Sequence, residues 1–222
     1  MLAALLATLA PRPAAAQVKV LDEGSFTISE RGARIGREEF RIRSTPGPQG
    51  GLVVASATVA YEERRLVPIL RTDSAGTPLE YMVEQRRGTR TEEKLSGTVS
   101  RGRVSVRVQS PRGEAAREFA VADGATVLED EVFHQYFFLA RAARRGDVPV
   151  IVPRRHVQVV VRVEQVGIET VVIGDRTISA TRLRISEPES PTREVWVDDG
   201  GRVLRVTIPD RGIVAMRDDP PR

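Results

Sequence analysis

Few residue types in this chain could do chemistry. There are two histidines, His134 and His156, no cysteine, and several carboxylates in adjacent pairs: Glu38 with Glu39, Glu62 with Glu63, Glu92 with Glu93. A histidine within reach of a carboxylate can move protons or activate a hydroxyl. Two facing carboxyl groups can cleave a glycosidic bond. Neither arrangement is written into the spacing. Neighbours on a strand point to opposite faces, so the pairs read as solvated strand charges. The histidines read as solvated or singly hydrogen-bonded side chains. The patterns H-E-x-x-H, G-x-S-x-G, G-x-G-x-x-G and the P-loop are all absent, and with them the ligand, nucleophile or phosphate-cradling geometry of those enzymes. Without cysteine there is no disulfide, thiolate metal site or sulfur nucleophile. The reading assigns no catalytic residue, no metal ligand and no cofactor, and expects no enzymatic activity.

The remaining dense stretch is apolar. DEVFHQYFFLARAARRGD, residues 130–147, holds Phe133, Tyr136, Phe137 and Phe138, four of the ten aromatic residues. Val132, Tyr136, Leu139 and Ala143 recur at helical spacing, flanked by Phe133, Phe137 and Ala140. Glu129, Asp130 and Glu131 precede them, Arg141, Arg144 and Arg145 follow, and Gly146 comes next, matching the helix dipole and C-cap preferences. An amphipathic helix is expected at 129–145, with His134, Phe138, Arg141 and Arg145 on its opposite face. Its aromatic stripe suits an apolar ligand, and Phe133, Tyr136, Phe137 and Trp196 are the candidate ligand-binding residues. Trp196 alternates with Val195 and Val197, so it either lines a groove or covers the outer face of a neighbouring strand.

The elements that must position these residues are strands. From Ser25 the chain alternates apolar and polar residues: Phe26 and Ile28, then Phe40 and Ile42 against Glu39, Arg41 and Arg43. Val104, Val106 and Val108 continue the pattern, as do Val157, Val159, Val161 and Val163. This is the period of half-buried antiparallel strands. Turn sequences such as DSAG at 73–76 and DDGG at 198–201 separate them. The expectation is a mainly β fold with one helix: a curled antiparallel sheet of about ten to eleven strands, a half-barrel, with the helix packed on its concave face. Residues 17–222 read as one domain.

Residues 1–16 read as a secretory leader: an apolar run, a break at Pro11 and Pro13, then Ala14, Ala15 and Ala16 as a small-residue cleavage site. The run is too short to span a bilayer, so a soluble, periplasmic protein that does not cross the membrane is expected. The 34 basic residues are balanced by 30 acidic ones and interleaved with them. Nucleic-acid binders instead gather charge on one face, so no nucleic-acid partner is expected.

The stretches FTISERGARIGREEF, RLVPILRTDSAGTPLEY and EVWVDDGGRVLRV resemble a group of uncharacterised bacterial envelope domains. These are similar in turn to the outer-membrane lipoprotein carrier (LolA-like) superfold, an eleven-stranded half-barrel whose helix-covered concave face holds acyl chains. The shared motifs are strand-and-turn signatures, and the chain departs from the carriers in having one strong helix and no match to their acyl-gripping residues. The resemblance implies a lipid or other apolar ligand between sheet and helix. The alternative is an envelope protein that binds a protein partner, with a filled core and no ligand.

Overall fold

The alternating pattern folds into strands almost throughout. The computed structural model describes residues 17–47, 50–142 and 146–222. It contains β1 (Lys19–Glu30), β2 (Ala33–Thr45), β3 (Leu52–Tyr61), β4 (Arg64–Asp73), β5 (Pro78–Arg87), β6 (Arg90–Ser100), β7 (Arg103–Ser110) and β8 (Gly113–Ala120). Then come β9 (Thr126–Val127), α1 (Tyr136–Ala142), β10 (Val148–Val152), β11 (Val157–Ile173), β12 (Arg176–Ser186), β13 (Arg193–Val197), β14 (Val203–Ile208) and β15 (Ile213–Arg217). The leader-like residues 1–16 and the last part of the expected helix, 143–145, lie outside the described residues.

All fifteen strands join one open sheet in the order β8-β7-β6-β5-β4-β3-β2-β1-β15-β14-β13-β12-β11-β10-β9. Neighbours are antiparallel except β9 and β10, which run parallel. A sheet of this width curls, bringing β9 against β5 and the 3-10 turn Pro153–Arg155 against β6. The strand count exceeds the ten to eleven expected. The surplus comes from strands that alternation does not announce, such as β8, exposed along nearly its whole length, and β9, two residues long. Turn chemistry is as the sequence suggests: Asp73 Oδ1 accepts from the amides of Ala75 and Thr77, at 2.9 and 2.8 Å, and Gly76 takes φ +92°.

The inward residues of both halves form one core, with Phe26, Ile28, Ile42, Leu66, Leu70 and Leu139 among its fully buried members. The halves meet where β1 pairs with β15. Beside this join Arg217, buried, uses all its guanidinium nitrogens. Nη1 and Nη2 donate to Asp22 at 3.0 and 2.8 Å, Nη2 also to Glu23 O, Nη1 to Val203 O and Nε to Asp219 O. A side chain at Gly24 would obstruct it, since a Cβ there would lie 2.9 Å from Nη2.

Removing one partner of a buried ion pair strands the other charge. Arg217→Met is therefore expected to lower stability by about 3–5 kcal/mol, measured by urea denaturation. The Arg217→Met/Asp22→Leu double variant is expected to recover most of that loss. Equal loss in both variants would show that the pairing does not hold the halves together.

Candidate functional site

The segment from Thr126 to Ala142 fills the space enclosed by the curled sheet. Its helical part starts later than expected, at Tyr136 rather than at 129, and runs to Ala142 among the described residues. Glu131 takes φ +66°, a left-handed conformation that an α-helix cannot include. Residues 129–135 instead form turns, with i to i+3 hydrogen bonds from Tyr136 to Phe133, Phe137 to His134 and Phe138 to Gln135. Of the face expected to be polar, His134 and Phe138 are buried, at 0% and 5% exposure, while Arg141 is exposed and Arg145 lies outside the described residues. From Val132 to Leu139 every residue is buried, and solvent reaches the segment only near its ends, as at Asp130, Glu131 and Arg141.

What holds it is a carboxylate. Glu38 on β2 shares the inward parity of Phe40 and Ile42 and is fully buried. Its Oε2 accepts from the amide of Phe133 at 2.7 Å and its Oε1 from the amide of His134 at 3.0 Å, with His134 Nδ1 at 2.5 Å. These two amides lie just before α1, so a side chain from a distant strand supplies acceptors where the chain enters the helix. The expectation that Glu38 is a solvated strand charge is corrected by its parity, which sends it inward. His134 is singly hydrogen-bonded, as one of its two readings had it, with Glu38 as the side-chain partner. It is fully buried and stacked on Phe40, the ring centroids 5.7 Å apart and the planes within 9°, and Phe40 stacks in turn on Phe26.

Three further contacts clamp the segment. Buried Glu129 accepts from the amide of Arg154 at 3.2 Å and lies 3.1 Å from its Nε, while Arg154 Nη2 donates to Asp130 O at 2.8 Å. Arg64 on β4 pairs with Glu131 at 2.5 Å. At the far end Arg141 lies over the Phe137 ring and donates to the carbonyls of Gly200 and Gly201, in the turn between β13 and β14. The sequence reading missed these anchors because each partner comes from a remote element.

As a proton-transfer site the arrangement is poorly furnished. His134 and Glu38 meet, but neither reaches a cleft, and His134 Nε2 has no hydrogen-bond partner among the described residues. Burial raises the Glu129 carboxyl above its ordinary value, with Arg154 pulling the other way. Burial also pushes the Tyr136 phenol up to about 12 and that of Tyr81 well above its ordinary value, so both stay protonated at neutral pH. His156 is half-buried and left-handed, at φ 54°, where it ends the Pro153–Arg155 turn. No group of three or more His, Cys, Asp or Glu residues suited to a metal occurs among the described residues.

Two small voids flank the plug. One, of about 80 Å³, lies beside its start and is lined by Phe133, Tyr136, Tyr61, Val161 and Glu187 among others. The other, of about 150 Å³, lies beside its end against Phe137, Phe138, Leu21, Val53 and Thr72. Trp196 meets neither. It belongs to a separate cluster with Val171, Ile173, Ala180 and Leu204, donates to Glu169 Oε2 at 2.8 Å, and has Arg205 and Arg182 at 4.7 and 5.4 Å from its ring centre. So the structure groups Phe133, Tyr136 and Phe137 on one plug and sets Trp196 apart. A much larger groove, about 910 Å³ and open to solvent, runs outside β1 to β4 past Arg37, Arg41, Arg43, Val54 and Ile69.

No family model matches the chain, and no curated protein matches it. Among solved structures it is similar to a β-barrel-like protein of domain of unknown function DUF1849 from Brucella abortus. The TM-score is 0.59 with 9% identity, over 92% of this chain and 98% of that one. A Bacteroides fragilis protein with a YmcC-like fold gives a TM-score of 0.37 with 10% identity, over 92% of this chain and 96% of that one. The likeness to the Brucella protein is one of fold: this chain is β-barrel-like, with an open, curled sheet.

Proposed function

We propose that this chain is an exported, non-enzymatic module of the cell envelope whose interior is a filled core and which works through its outer surface. The observation that carries the reading is the plug, buried from Val132 to Leu139 and anchored by Glu38, with voids of about 80 and 150 Å³ beside it. Export rests on the leader-like pattern of residues 1–16, and the envelope assignment on the sequence resemblance. No helix among the described residues is long and apolar enough to cross a membrane.

Magnitudes decide between plug and lid. Val132, Phe133, Tyr136, Phe137, Phe138 and Leu139 are all buried. At about 1.5–3 kcal/mol for each large side chain, their burial contributes roughly 9–18 kcal/mol as an upper estimate. The whole stability of a typical domain is about 5–15 kcal/mol. Lifting the plug would therefore cost about as much as unfolding the protein. Ligand pockets for molecules of drug size run from about 300 to 1,000 Å³, whereas the voids here are about 80 and 150 Å³. The larger void matches an engineered cavity that takes benzene, about 150 Å³, and is too small for an acyl chain. The lipid-carrying reading, with Phe133, Tyr136, Phe137 and Trp196 as its contacts, needs the plug to leave and Trp196 to come in from another cluster.

Native mass spectrometry and solvent extraction of the protein purified from its own envelope test this directly. The expected result is the mass of the polypeptide with no lipid. An acyl chain or lipid recovered near one per protein would overturn the filled-core reading. The anchoring is tested separately by Glu38→Gln, which puts an amide donor where two backbone amides need acceptors. Stability in urea is expected to fall by about 1.5–3 kcal/mol, and an unchanged midpoint would show that Glu38 does not hold the plug.

A further inference from the structure

The longest strand is covered along only part of one side. β10 pairs with residues 157–161 of β11, while β12 pairs with residues 162–173 on the other side. On the side away from β12, no described strand pairs with residues 162–173. Folded proteins commonly blunt such an edge with lysine, proline, a covering element or a bulge, and among the described residues the stretch 162–173 has only the last. This one has no lysine or proline, and it carries Val166, Ile168 and Val172 at 42%, 71% and 63% exposure.

A bulge sets the geometry. Gln165 opposes Leu183 and Gly167 opposes Arg182, so Val166 is an extra residue that exchanges the two faces of the strand. Before it, Val163 packs towards the main core and Arg162 points outward. After it, Glu169 lies on the outer side with Trp196, which leaves Ile168 on the same side as Val163. Nothing lies within 4 Å of where a Cβ at Gly167 would be, so the outer face of the strand is open there.

We propose that the exposed edge of β11 pairs antiparallel with the same edge of a second copy, making one continuous sheet across a two-fold axis. The inference deepens the proposal of an outward-working module and rests on it. With the axis between Gln165 and Val166, Arg162 faces Glu169 of the second copy and Val163 faces Ile168 of the second copy, each pair occurring twice. The charges are complementary and the apolar residues share one face, as cross-strand pairing requires. Arg162 is available for this, since its contacts with Asp147 and Glu164 are both at 3.9 Å and its side chain is largely exposed, and Glu169, which already accepts one bond from Arg182 and one from Trp196, is exposed enough to accept another. An isologous contact closes on itself, so it stops at the dimer instead of propagating into a fibre.

The chain has no cysteine, which makes engineered crosslinks unambiguous. Within one copy positions 163 and 168 are roughly 17 Å apart along the strand, given about 3.3–3.4 Å per residue. A disulfide needs Cβ atoms about 3.5–4.5 Å apart, so the two cannot join within a molecule. Full-length Val163→Cys/Ile168→Cys is expected to form a covalent dimer on mild oxidation, whereas Met82→Cys, exposed on β5, stays monomeric. Sedimentation of the unmodified protein is expected to show a concentration-dependent dimer, lost in Ile168→Lys at an unchanged melting temperature. A wild-type protein that remains monomeric, or a double-cysteine variant that crosslinks no better than Met82→Cys, would overturn the pairing. Neither outcome bears on the filled core, which the bare polypeptide mass tests alone.

Discussion

One carboxylate with no access to water sets the terms for the rest of this molecule. Glu38 lies inside a curled sheet where an unpartnered charge would be prohibitively costly, and two backbone amides and an imidazole surround it. Those amides belong to the segment that fills the sheet, so satisfying the charge and positioning the plug are one event. Taking the plug away would leave the carboxylate without its donors as well as exposing six apolar side chains. The sheet on its own is open, its end strands β8 and β9 unpaired with each other. With the plug in place it has a continuous core reaching from Phe26 on β1 to Val161 on β11.

Much of this was legible, unevenly. Alternation placed Phe26, Ile28, Phe40 and Ile42 inward, and the aromatic stripe marked Phe133, Tyr136 and Phe137 as buried. The same alternation placed Glu38 inward, two residues before Phe40. Its neighbour Glu39 points the other way, into solvent, so the acidic pair as a unit carries no sign of which member is buried. The start of the helix was not legible, because it is fixed by the left-handed Glu131 and by an acceptor 95 and 96 residues earlier in the chain. The strand count was not legible either, since β8 has almost no buried residue to betray it and β9 consists of two residues. Trp196 was placed correctly opposite Val195 and Val197. What covers it, the far end of the β11–β12 hairpin, depends on a bulge that no periodicity reveals.

The same logic explains where function can and cannot reside. A histidine against a carboxylate would suggest catalysis in a cleft; here the pair is buried, His134 stacked on Phe40 and Glu38 bonded to the plug backbone. The arginine-rich surface is built mostly of local pairs such as Arg71 with Glu80 and Arg103 with Glu118, each worth little alone. Those pairs intersperse the two signs of charge along the sheet. Among the described residues, the outer edges of β8 and of β11 beyond Val161 leave backbone without a strand partner.

Amide hydrogen exchange at Phe133 and His134 tests the central claim most directly. If Glu38 locks the plug as part of the core, both amides exchange only through global unfolding, with protection equal to that of the slowest core amides such as those of β1 and β2. Exchange at these two positions through a local opening, faster than the core by orders of magnitude and unaffected by denaturant at low concentration, would contradict it. The segment would then be a lid after all.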